Sequence, residues 1–286
     1  MSDYVIVTDS SADLPKSFIK QWNLPTINLR VFIDGTEEDP DKLEIKAFYD
    51  ALRGGKIATT AAPNLVDFTT AMEPILQSGK DLLYIAFSSG LSGTCQAGRL
   101  ACEELAAKYP ERKIKVVDSL AASTGQGLFV YYALKKQQEG VSFDDNVTWL
   151  EENKLHVCHW FTVDDLMFLK RGGRISAVTA VVGTMLSVKP VLHVDNEGHL
   201  INMSKTRGRK AAILALVEKA RLLAIKPETQ IMMISNGDCL EDAEFLAEKL
   251  KSELGVPEVL ISSVGPVIGA HSGPGTLALF FLGAER

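Results

Sequence analysis

The sequence of 286 residues lacks most features that mark metal-binding, disulfide-bonded, membrane-spanning or nucleic-acid-binding proteins. Its four cysteines form no Cys-x-x-Cys pair, which favours a reducing cytosol over a disulfide framework. No apolar run reaches the roughly 18 residues of a membrane span, and the first residues, MSDYVIVTDSS, show no signal-peptide pattern. A net charge of −6 argues against a broad phosphate-binding face. We therefore expect a cytoplasmic protein without a metal site, a cofactor or a nucleic-acid partner.

Nucleotide-binding signatures are also missing. The stretch IAFSSGLSGT (Ile85–Thr94) leads from a predicted strand into a predicted helix, yet it contains no lysine or arginine. No Gly-x-Gly-x-x-Gly follows the first strand, so a nucleoside triphosphate is a poor candidate. Gly90 and Gly93 allow a ligand close to the backbone, and a helix N-terminus favours negative charge. Because Asp9 and Asp118 would repel a phosphate, we expect a single carboxylate held by neutral hydroxyls.

What the sequence does contain is the alternation of an α/β protein. Hydrophobic residues make up 46% and charged residues 23%, the balance of a soluble globular protein. Continuous apolar strands such as Tyr4–Thr8 and Leu82–Phe87 alternate with helices in the first half, which predicts a parallel sheet covered on both faces. The second half adds a hairpin over Pro190–Met203. We predict two α/β domains, residues 1–155 with a parallel sheet and residues 156–286 with a mixed sheet.

Four polar loops lie at strand ends or before a helix in the first half: Thr8–Ser11, Thr59–Asn64, Ser88–Thr94 and Asp118–Gly125. Ligands of open parallel sheets bind outside the carboxyl ends of the strands, so these loops are expected to line one crevice. Each loop taken alone is equally typical of a helix N-cap. Five residues are expected to support the site: Ser88, Ser89, Gly93, Thr94 and Asn64.

A glycine-rich stretch near the C-terminus, GAHSGPGT (Gly269–Thr276), contains His271. A histidine between glycines and before Pro-Gly predicts a tight loop. The ring is then either solvated or a donor to an anionic head group. The other four histidines lie in strand-like or hairpin sequence, and we interpret them as structural: His156, His159, His193 and His199.

Two cationic turns and one apolar stretch leave alternatives open. LKRGGRIS (Leu169–Ser176) and KTRGRK (Lys205–Lys210) are either solvated turns or an electropositive rim for a partner or a phosphate. Arginine suits such forked contacts better than lysine. ISAVTAVVGTMLSV (Ile175–Val188) is either an ordinary buried helix or part of an apolar tunnel.

Several long motifs resemble the DegV family, which includes the fatty-acid-binding subunit of bacterial fatty acid kinase. They occur in the family's order and spacing over nearly the whole chain: VTDSSADLP, SSGLSGTCQA, VVDSLAASTGQG, DDLMFLKRGGRIS, KPVLHVDNEGHL and GAHSGPGTLALFF. The resemblance implies two α/β domains with a long-chain fatty acid between them. It also implies a lipid-binding subunit, not an enzyme, that presents the carboxylate to a separate kinase subunit for acyl-phosphate formation.

The resemblance also assigns residues. Thr60, Ser92 and His271 correspond to the ligands of the carboxylate. The partner-facing residues correspond to Arg171 and Arg207, with Arg174 and Arg209 as their neighbours. Peripheral membrane contact for lipid exchange is a further expectation.

One motif departs from the family pattern. Thr60-Ala61-Ala62-Pro63-Asn64 stands where the family usually has Thr-Ser-Gln-Pro-Ser. A serine hydroxyl and a glutamine amide are missing, which predicts a wider or less polar head-group pocket.

Two alternatives to fatty-acid presentation stay open. One is a serine acyl hydrolase with Ser92 as nucleophile, His271 as base and Asp118 as its orienting group. Gly90-Leu91-Ser92-Gly93 is one residue short of the Gly-x-Ser-x-Gly nucleophile elbow, which weakens this alternative. The other is a binding module for a different small amphipathic ligand.

Overall fold

The strands of the protein supply the framework that positions the site. The computed structural model describes residues 4–40, 42–176 and 188–286. The strands in these residues are β1 (Tyr4–Asp9), β2 (Thr26–Ile27), β3 (Arg30–Ile33), β4 (Thr36–Glu37), β5 (Ala58–Ala61), β6 (Asp81–Ala86), β7 (Ile114–Asp118), β8 (Val157–Thr162), β9 (Val188–Val194), β10 (Leu200–Arg207), β11 (Ile231–Asn236), β12 (Glu258–Ser263) and β13 (Leu277–Leu282).

The helices follow most of the predicted amphipathic segments to within a few residues. They are α1 (Lys16–Trp22), α2 (Ile45–Arg53), α3 (Leu65–Gln77), α4 (Thr94–Lys108), α5 (Thr124–Gln138), α6 (Phe143–Asn153), α7 (Leu166–Arg171), α8 (Arg209–Leu223), α9 (Leu240–Leu254) and α10 (Pro266–Ser272). Short 3₁₀ turns cover Ser10–Ala12, Lys154–His156 and Pro227–Thr229.

The first half forms the predicted parallel sheet. Its strand order is β2-β1-β6-β7, and every pairing is parallel. On one face Ile6 and Leu83 pack with α5, and on the other Val7 and Tyr84 pack with α3 and α4. Both faces are covered, which is why these strands are apolar along their whole length.

The second half forms a mixed sheet in the order β10-β9-β8-β13-β11-β12. All its pairings are antiparallel except β11 with β12. One face packs on α8 and α9, and the other shares a core with the first half. The predicted α/β class, with a parallel and a mixed sheet, is confirmed. The division into separate domains at 155/156 stays a prediction. The strands of the parallel sheet all precede this boundary, and those of the mixed sheet all follow it.

Helix α5 joins the two halves because both sheets pack against it. Residues Thr124–Val130 are all buried, and Phe129 belongs to one core with Ile6 of β1 and Phe280 of β13. The helix has no solvent face over these two turns, so the two sheets are held in a fixed relation around it.

Two short elements depart from the sequence expectations. The sequence predicts a loop over Thr59–Asn64, whereas Ala58–Ala61 pairs with β3 in a small antiparallel sheet, β4-β3-β5. It also predicts a tight loop around His271, whereas Pro266–Ser272 is helix α10. Both elements are short and rich in alanine, glycine or threonine, so local patterns do not reveal them. The predicted apolar stretch Ile175–Val188 lies largely outside the described residues, which omit 177–187.

Gly98 on α4 tests how tightly this helix packs on the parallel sheet. A Cβ at this position would lie 2.4 Å from Cε1 of Tyr84, whose hydroxyl is anchored on Asp9 at 2.8 Å. We expect Gly98→Ala to lower the free energy of unfolding by about 1–3 kcal/mol, because overpacking outweighs the roughly 1 kcal/mol gained in helix propensity. Denaturant unfolding measures the change.

The matched control is Gly93→Ala, immediately before α4. Gly93 has φ −70° and open space at its Cβ position. We expect this variant to change the free energy of unfolding by no more than about 1 kcal/mol. Equal stabilities of the two variants would contradict the packing argument.

Candidate functional site

A narrow, mostly apolar cavity lies between the two halves of the chain. It has about 740 Å³ of empty space, including the part open to solvent. Apolar side chains from both halves form most of its wall, among them Phe87, Leu91, Phe161, Val267 and Phe280. Cavities of this size hold small-molecule ligands, and the apolar wall suits a hydrocarbon.

Thr60 and His271 meet in the wall of this cavity. Alternation along β5 turns Thr60 into the wall, and α10 brings His271 to it from 211 residues away. The Thr60 Oγ1 atom lies 2.7 Å from Nε2 of His271. We call this region, with Ser92, the head end.

Ser92 also lines the head end, but its hydroxyl has a local task as well. Its Oγ accepts a hydrogen bond from the backbone N–H of Thr94 at 3.2 Å and lies 2.8 Å from Thr94 Oγ1. The hydroxyl therefore bonds to the first residue of α4 while its residue forms part of the cavity wall. The N-cap of α4 is Gly93, without a side-chain cap, so a serine N-cap is not what this loop provides.

Arg174, expected beside the partner-facing arginines, also lies in the cavity wall. Its Nε donates to the Leu91 carbonyl at 3.0 Å, and Nη1 donates to the Gly172 carbonyl. Gly172 in turn packs on the imidazole of His271, since a Cβ there would lie 2.3 Å from Nδ1. The Arg-Gly-Gly-Arg turn thus supplies a cation to the head end.

Among the polar wall residues that the sequence analysis does not assign to the site, two have side chains with unpartnered nitrogen or oxygen atoms. Ser272 follows His271 on α10, is 4% exposed, and its hydroxyl has no hydrogen-bond partner among the described residues. His159 on β8 is 1% exposed and equally unpartnered at both ring nitrogens. The strand pattern did hold a signal for His159, because it shares a face with the apolar Val157 and Phe161.

The five predicted supporting residues contribute no part of the cavity wall. Asn64 is exposed and forms a capping box with Asp67 at the start of α3. The remaining four build the loop before α4: Ser88, Ser89, Gly93 and Thr94. Gly90 allows a close approach to the hairpin turn rather than to a ligand, since a Cβ there would lie 2.6 Å from the Glu197 carbonyl oxygen.

Three of the four predicted loops reach the cavity, through Thr60, Ser92 and Ser123. The loop Thr8–Ser11 does not, because Asp9 is fully buried in a closed network. Its carboxylate accepts hydrogen bonds from the Tyr84 hydroxyl and the Phe87 N–H at 2.8 and 3.0 Å. Burial raises the pKa of Asp9, an effect that its hydrogen bonds oppose.

The other three arginines lie outside the cavity wall. Arg171 and Arg207 are exposed, and the Arg171 guanidinium stacks 4.9 Å from the ring centroid of Phe168. Arg209 is instead held within the chain, because its Nε donates to Asp242 at 2.8 Å. Arg171 and Arg207 are therefore better placed than Arg209 to meet another molecule.

The head end combines a neutral imidazole with a cation. Burial, and then the charge of Arg174, lower the pKa of His271 from 6.5 to about 4. The ring is therefore neutral at pH 7, and its Nδ1 has no partner among the described residues. A carboxylate arriving here would meet the Thr60 hydroxyl, the imidazole and the guanidinium of Arg174 without a competing negative charge at the wall.

The geometry does not assemble a hydrolytic triad. The Ser92 hydroxyl bonds to Thr94 and the imidazole of His271 to Thr60. Asp118 accepts hydrogen bonds from the backbone N–H groups of Ser89 and Leu120, not from the imidazole. The nucleophile–base and base–carboxylate contacts that acyl hydrolysis needs are missing between these residues.

Across the three described ranges, the structure offers no cluster of histidine, cysteine and acidic side chains suited to a metal ion. Within the same ranges, every helix is too short or too polar to cross a bilayer.

The depressed pKa of His271 gives a pH dependence with a definite sign. Between about pH 6.5 and pH 4 the unfolded chain binds a proton at this histidine and the folded chain does not. Stability therefore falls as the pH drops through this window. We expect the free energy of unfolding of the wild type to drop by up to about 3 kcal/mol more than that of His271→Gln between pH 7 and pH 4.5. Denaturant unfolding of both proteins at the two pH values measures the two drops.

His199→Gln is the control, because that histidine is exposed on the hairpin turn. Its unfolding free energy should follow the wild-type curve. A His271→Gln curve parallel to wild type between these pH values would show that the imidazole is not desolvated in the folded protein.

Comparisons with known proteins agree with this architecture. The sequence profile of the DegV family, described as uncharacterised proteins, matches residues 3–284. A DegV domain-containing protein of Clostridium perfringens is 46% identical over 289 residues, which cover 100% of this chain and 99% of that protein.

Solved structures of similar proteins cover the chain equally well. A fatty-acid-binding DegV family protein of Thermus thermophilus matches with a TM-score of 0.85 at 31% identity, over 98% of this chain and 99% of that one. The DegV protein of Bacillus subtilis, described as fatty acid binding, matches with a TM-score of 0.83 at 29% identity, over 99% and 100%. The chain studied here therefore belongs to the DegV family.

Proposed function

We propose that this protein binds a long-chain fatty acid in the cavity and presents its carboxylate to a fatty acid kinase subunit. The observation that carries the first part is the Thr60–His271 contact of 2.7 Å in the wall of an otherwise mostly apolar cavity. The fatty-acid-binding proteins of similar fold support the same ligand class.

The head end suits a carboxylate because it offers donors and one positive charge. Burying an ionised carboxylate costs several kcal/mol unless it is compensated. Hydrogen bonds to a charged group contribute about 1.5–3 kcal/mol each. The hydroxyls of Thr60 and Ser92, together with His271 and the nearby Arg174, are sufficient to offset that cost. The head end then fixes the position of the ligand more than its affinity.

Affinity comes from the hydrocarbon tail. At about 0.8 kcal/mol per buried methylene, roughly 14 methylenes contribute about 11 kcal/mol before the cost of association. The apolar wall formed by residues such as Phe161 and Phe280 is the surface that such a chain would cover.

The departure from the usual family motif does not remove polar groups from the head end. Ala61 and Ala62 lie outside the cavity wall, whereas Thr60 lines it. Side chains alternate along β5, so a serine at position 61 would point away from Thr60. We therefore expect Ala61 to leave the polarity of the head end nearly unchanged.

Thr60→Val and Ser92→Ala test the carboxylate site. Each removes one hydroxyl at the head end, and we expect each to weaken binding of stearic acid about tenfold or more, as a lost hydrogen bond to a charged group requires. Calorimetric titration measures the affinity. Because the Ser92 hydroxyl also accepts a hydrogen bond from the Thr94 N–H, Ser92→Ala should cost about 1 kcal/mol of stability as well.

Thr59→Val is the matched control, since Thr59 is the exposed neighbour of Thr60 on β5. It makes the same chemical change and should retain wild-type affinity. Undiminished affinity in both head-end variants would refute the carboxylate site. A mass spectrum of the organic extract without long-chain acids, combined with no stearic acid binding, would refute fatty-acid binding itself.

Presentation to a kinase is supported by exposed arginines beside the head end. Arg171 directly precedes Gly172, which packs on the imidazole of His271. Arg207 ends β10, two residues before Arg209, which lies 3.7 Å from Asp164 in an ion pair. Asp164 packs against Gly275, where a Cβ would lie 2.0 Å from Oδ2. The glycine-rich segment after α10 thus lies next to the start of α8, two residues after Arg207.

Arg171→Ala and Arg207→Ala test this part of the proposal. We expect both variants to bind stearic acid with wild-type affinity but to lose at least about tenfold in kinase-dependent acyl-phosphate formation, as the loss of a charged hydrogen bond at an interface would produce. The product is trapped as the fatty hydroxamate with a purified bacterial fatty acid kinase subunit and ATP.

Arg221→Ala is the control for lost surface charge. Arg221 lies on α8 in exposed ion pairs with Glu218 and Glu253, which contribute little to stability. Its rate should equal that of the wild type. Equal rates in Arg171→Ala, Arg207→Ala and Arg221→Ala would contradict the assigned partner face.

A further inference from the structure

His159 is a buried histidine in the cavity wall that the proposed function does not use. It lies in the middle of β8 and is 1% exposed. Neither ring nitrogen has a hydrogen-bond partner among the described residues. Buried polar groups are nearly always paired, and an apolar side chain in this wall would carry no such penalty. A bound ligand with a polar group could supply the missing hydrogen-bond partner of the imidazole.

The protein groups around the ring do not provide that partner. The Phe280 ring meets it edge to face at 5.3 Å and 90°. Helix α5 approaches through Gly125, where a Cβ would lie 2.3 Å from Nε2, so only an aliphatic carbon faces the ring there. The Val157 carbonyl favours the protonated ring and so opposes the lowering of its pKa, yet neither ring nitrogen of His159 forms a hydrogen bond of good geometry with a described residue.

The imidazole is neutral. Burial, and then the charges of Arg286 and His193, hold the pKa of His159 well below 6.5. A neutral imidazole has one N–H donor and one acceptor nitrogen. A plain methylene chain satisfies neither of them, whereas a hydroxyl group can accept from the one or donate to the other. A hydroxyl is therefore the group of smallest size that pairs with either tautomer.

The neighbouring polar residues of the wall do not have this unused capacity. Ser123 lies 2.6 Å from Asp13 Oδ2 and 2.9 Å from Ser235 Oγ. The Ser123 hydroxyl is therefore already bound within the protein by Asp13 and Ser235. The unused hydrogen-bonding capacity on this part of the wall belongs to His159.

The strand register places His159 along the path of the tail. His159 is paired with Phe280 across β8 and β13. Thr276, just before β13, lines the cavity beside Ser272, to whose carbonyl it donates at 3.0 Å. Phe280 lies roughly 13 Å further along the chain at the rise of an antiparallel strand. An acyl chain that followed β13 from Thr276 would therefore reach His159 near its middle.

We propose that the preferred ligands of this protein are long-chain fatty acids with a hydroxyl group near the middle of the chain, which His159 recognises. This inference rests on the proposed fatty-acid binding and names the ligand class of the same cavity. His159 acts as a specificity-determining residue and takes no part in holding the carboxylate.

The test compares stearic acid with a series of monohydroxystearic acids whose hydroxyl moves carbon by carbon along the chain. Calorimetric titration of the wild type should show one mid-chain isomer binding about tenfold tighter than stearic acid, with isomers on either side binding more weakly. His159→Phe should lose the preference, so that its affinity for that isomer no longer exceeds its affinity for stearic acid. His199→Phe, an exposed site, should keep the preference.

A second measurement does not depend on the folding of a variant. In protein labelled with ¹⁵N-histidine, the His159 imidazole resonances should shift on addition of the preferred hydroxystearic acid and stay in place with stearic acid. Equal affinity of the wild type for stearic acid and every isomer would overturn the inference, as would a preference that survives in His159→Phe. In those cases stearic acid still binds, whereas failure of stearic acid to bind would instead refute the proposed function.

Discussion

The contact between Thr60 and His271 depends on backbone approaches that only glycine permits. Helix α10 lies against α2 through Gly269, where a Cβ would come within 2.7 Å of the Tyr49 hydroxyl. The same hydroxyl donates to the Val264 carbonyl at 2.8 Å, just before α10. On the other side of the imidazole, Gly172 leaves room for Nδ1. These contacts fix the ring against β5, and the head end follows from them.

The tail region has a different origin, because its walls come from both sheets around α5. The first turns of this helix are buried between β1 of the parallel sheet and β13 of the mixed sheet. Asp13 adds a polar link across the same boundary, since its Oδ1 accepts from the Gly265 N–H at 2.9 Å. Burial raises the pKa of Asp13 to about 7. The cavity is thus bounded by a core that both halves share, and this core fixes the position of one wall relative to the other.

Local sequence patterns predict the parts of the fold that depend on local physics. The apolar strand Tyr4–Asp9 and the helix Phe143–Asn153 are visible in the sequence because burial imposes a period on it. Strand β5 has no such period, since it exists only by pairing with β3. The role of Gly90 is hidden for a related reason: the group it approaches, the Glu197 carbonyl, belongs to a hairpin more than 100 residues away. Long-range contacts of this kind leave no local trace.

Some polar groups of the cavity wall already have a hydrogen-bond partner in the protein, and others have none among the described residues. The sequence reveals the first class more readily than the second. Ser92 is visible because its hydroxyl also bonds to the Thr94 N–H two residues on, a local contact with a local sequence pattern. Ser272 and His159 carry no local task and have no partner among the described residues. A group that is satisfied in the free protein gains little from a ligand, whereas an unsatisfied buried group gains the full hydrogen bond. Ligand discrimination in this cavity is therefore expected to reside in its unpaired groups.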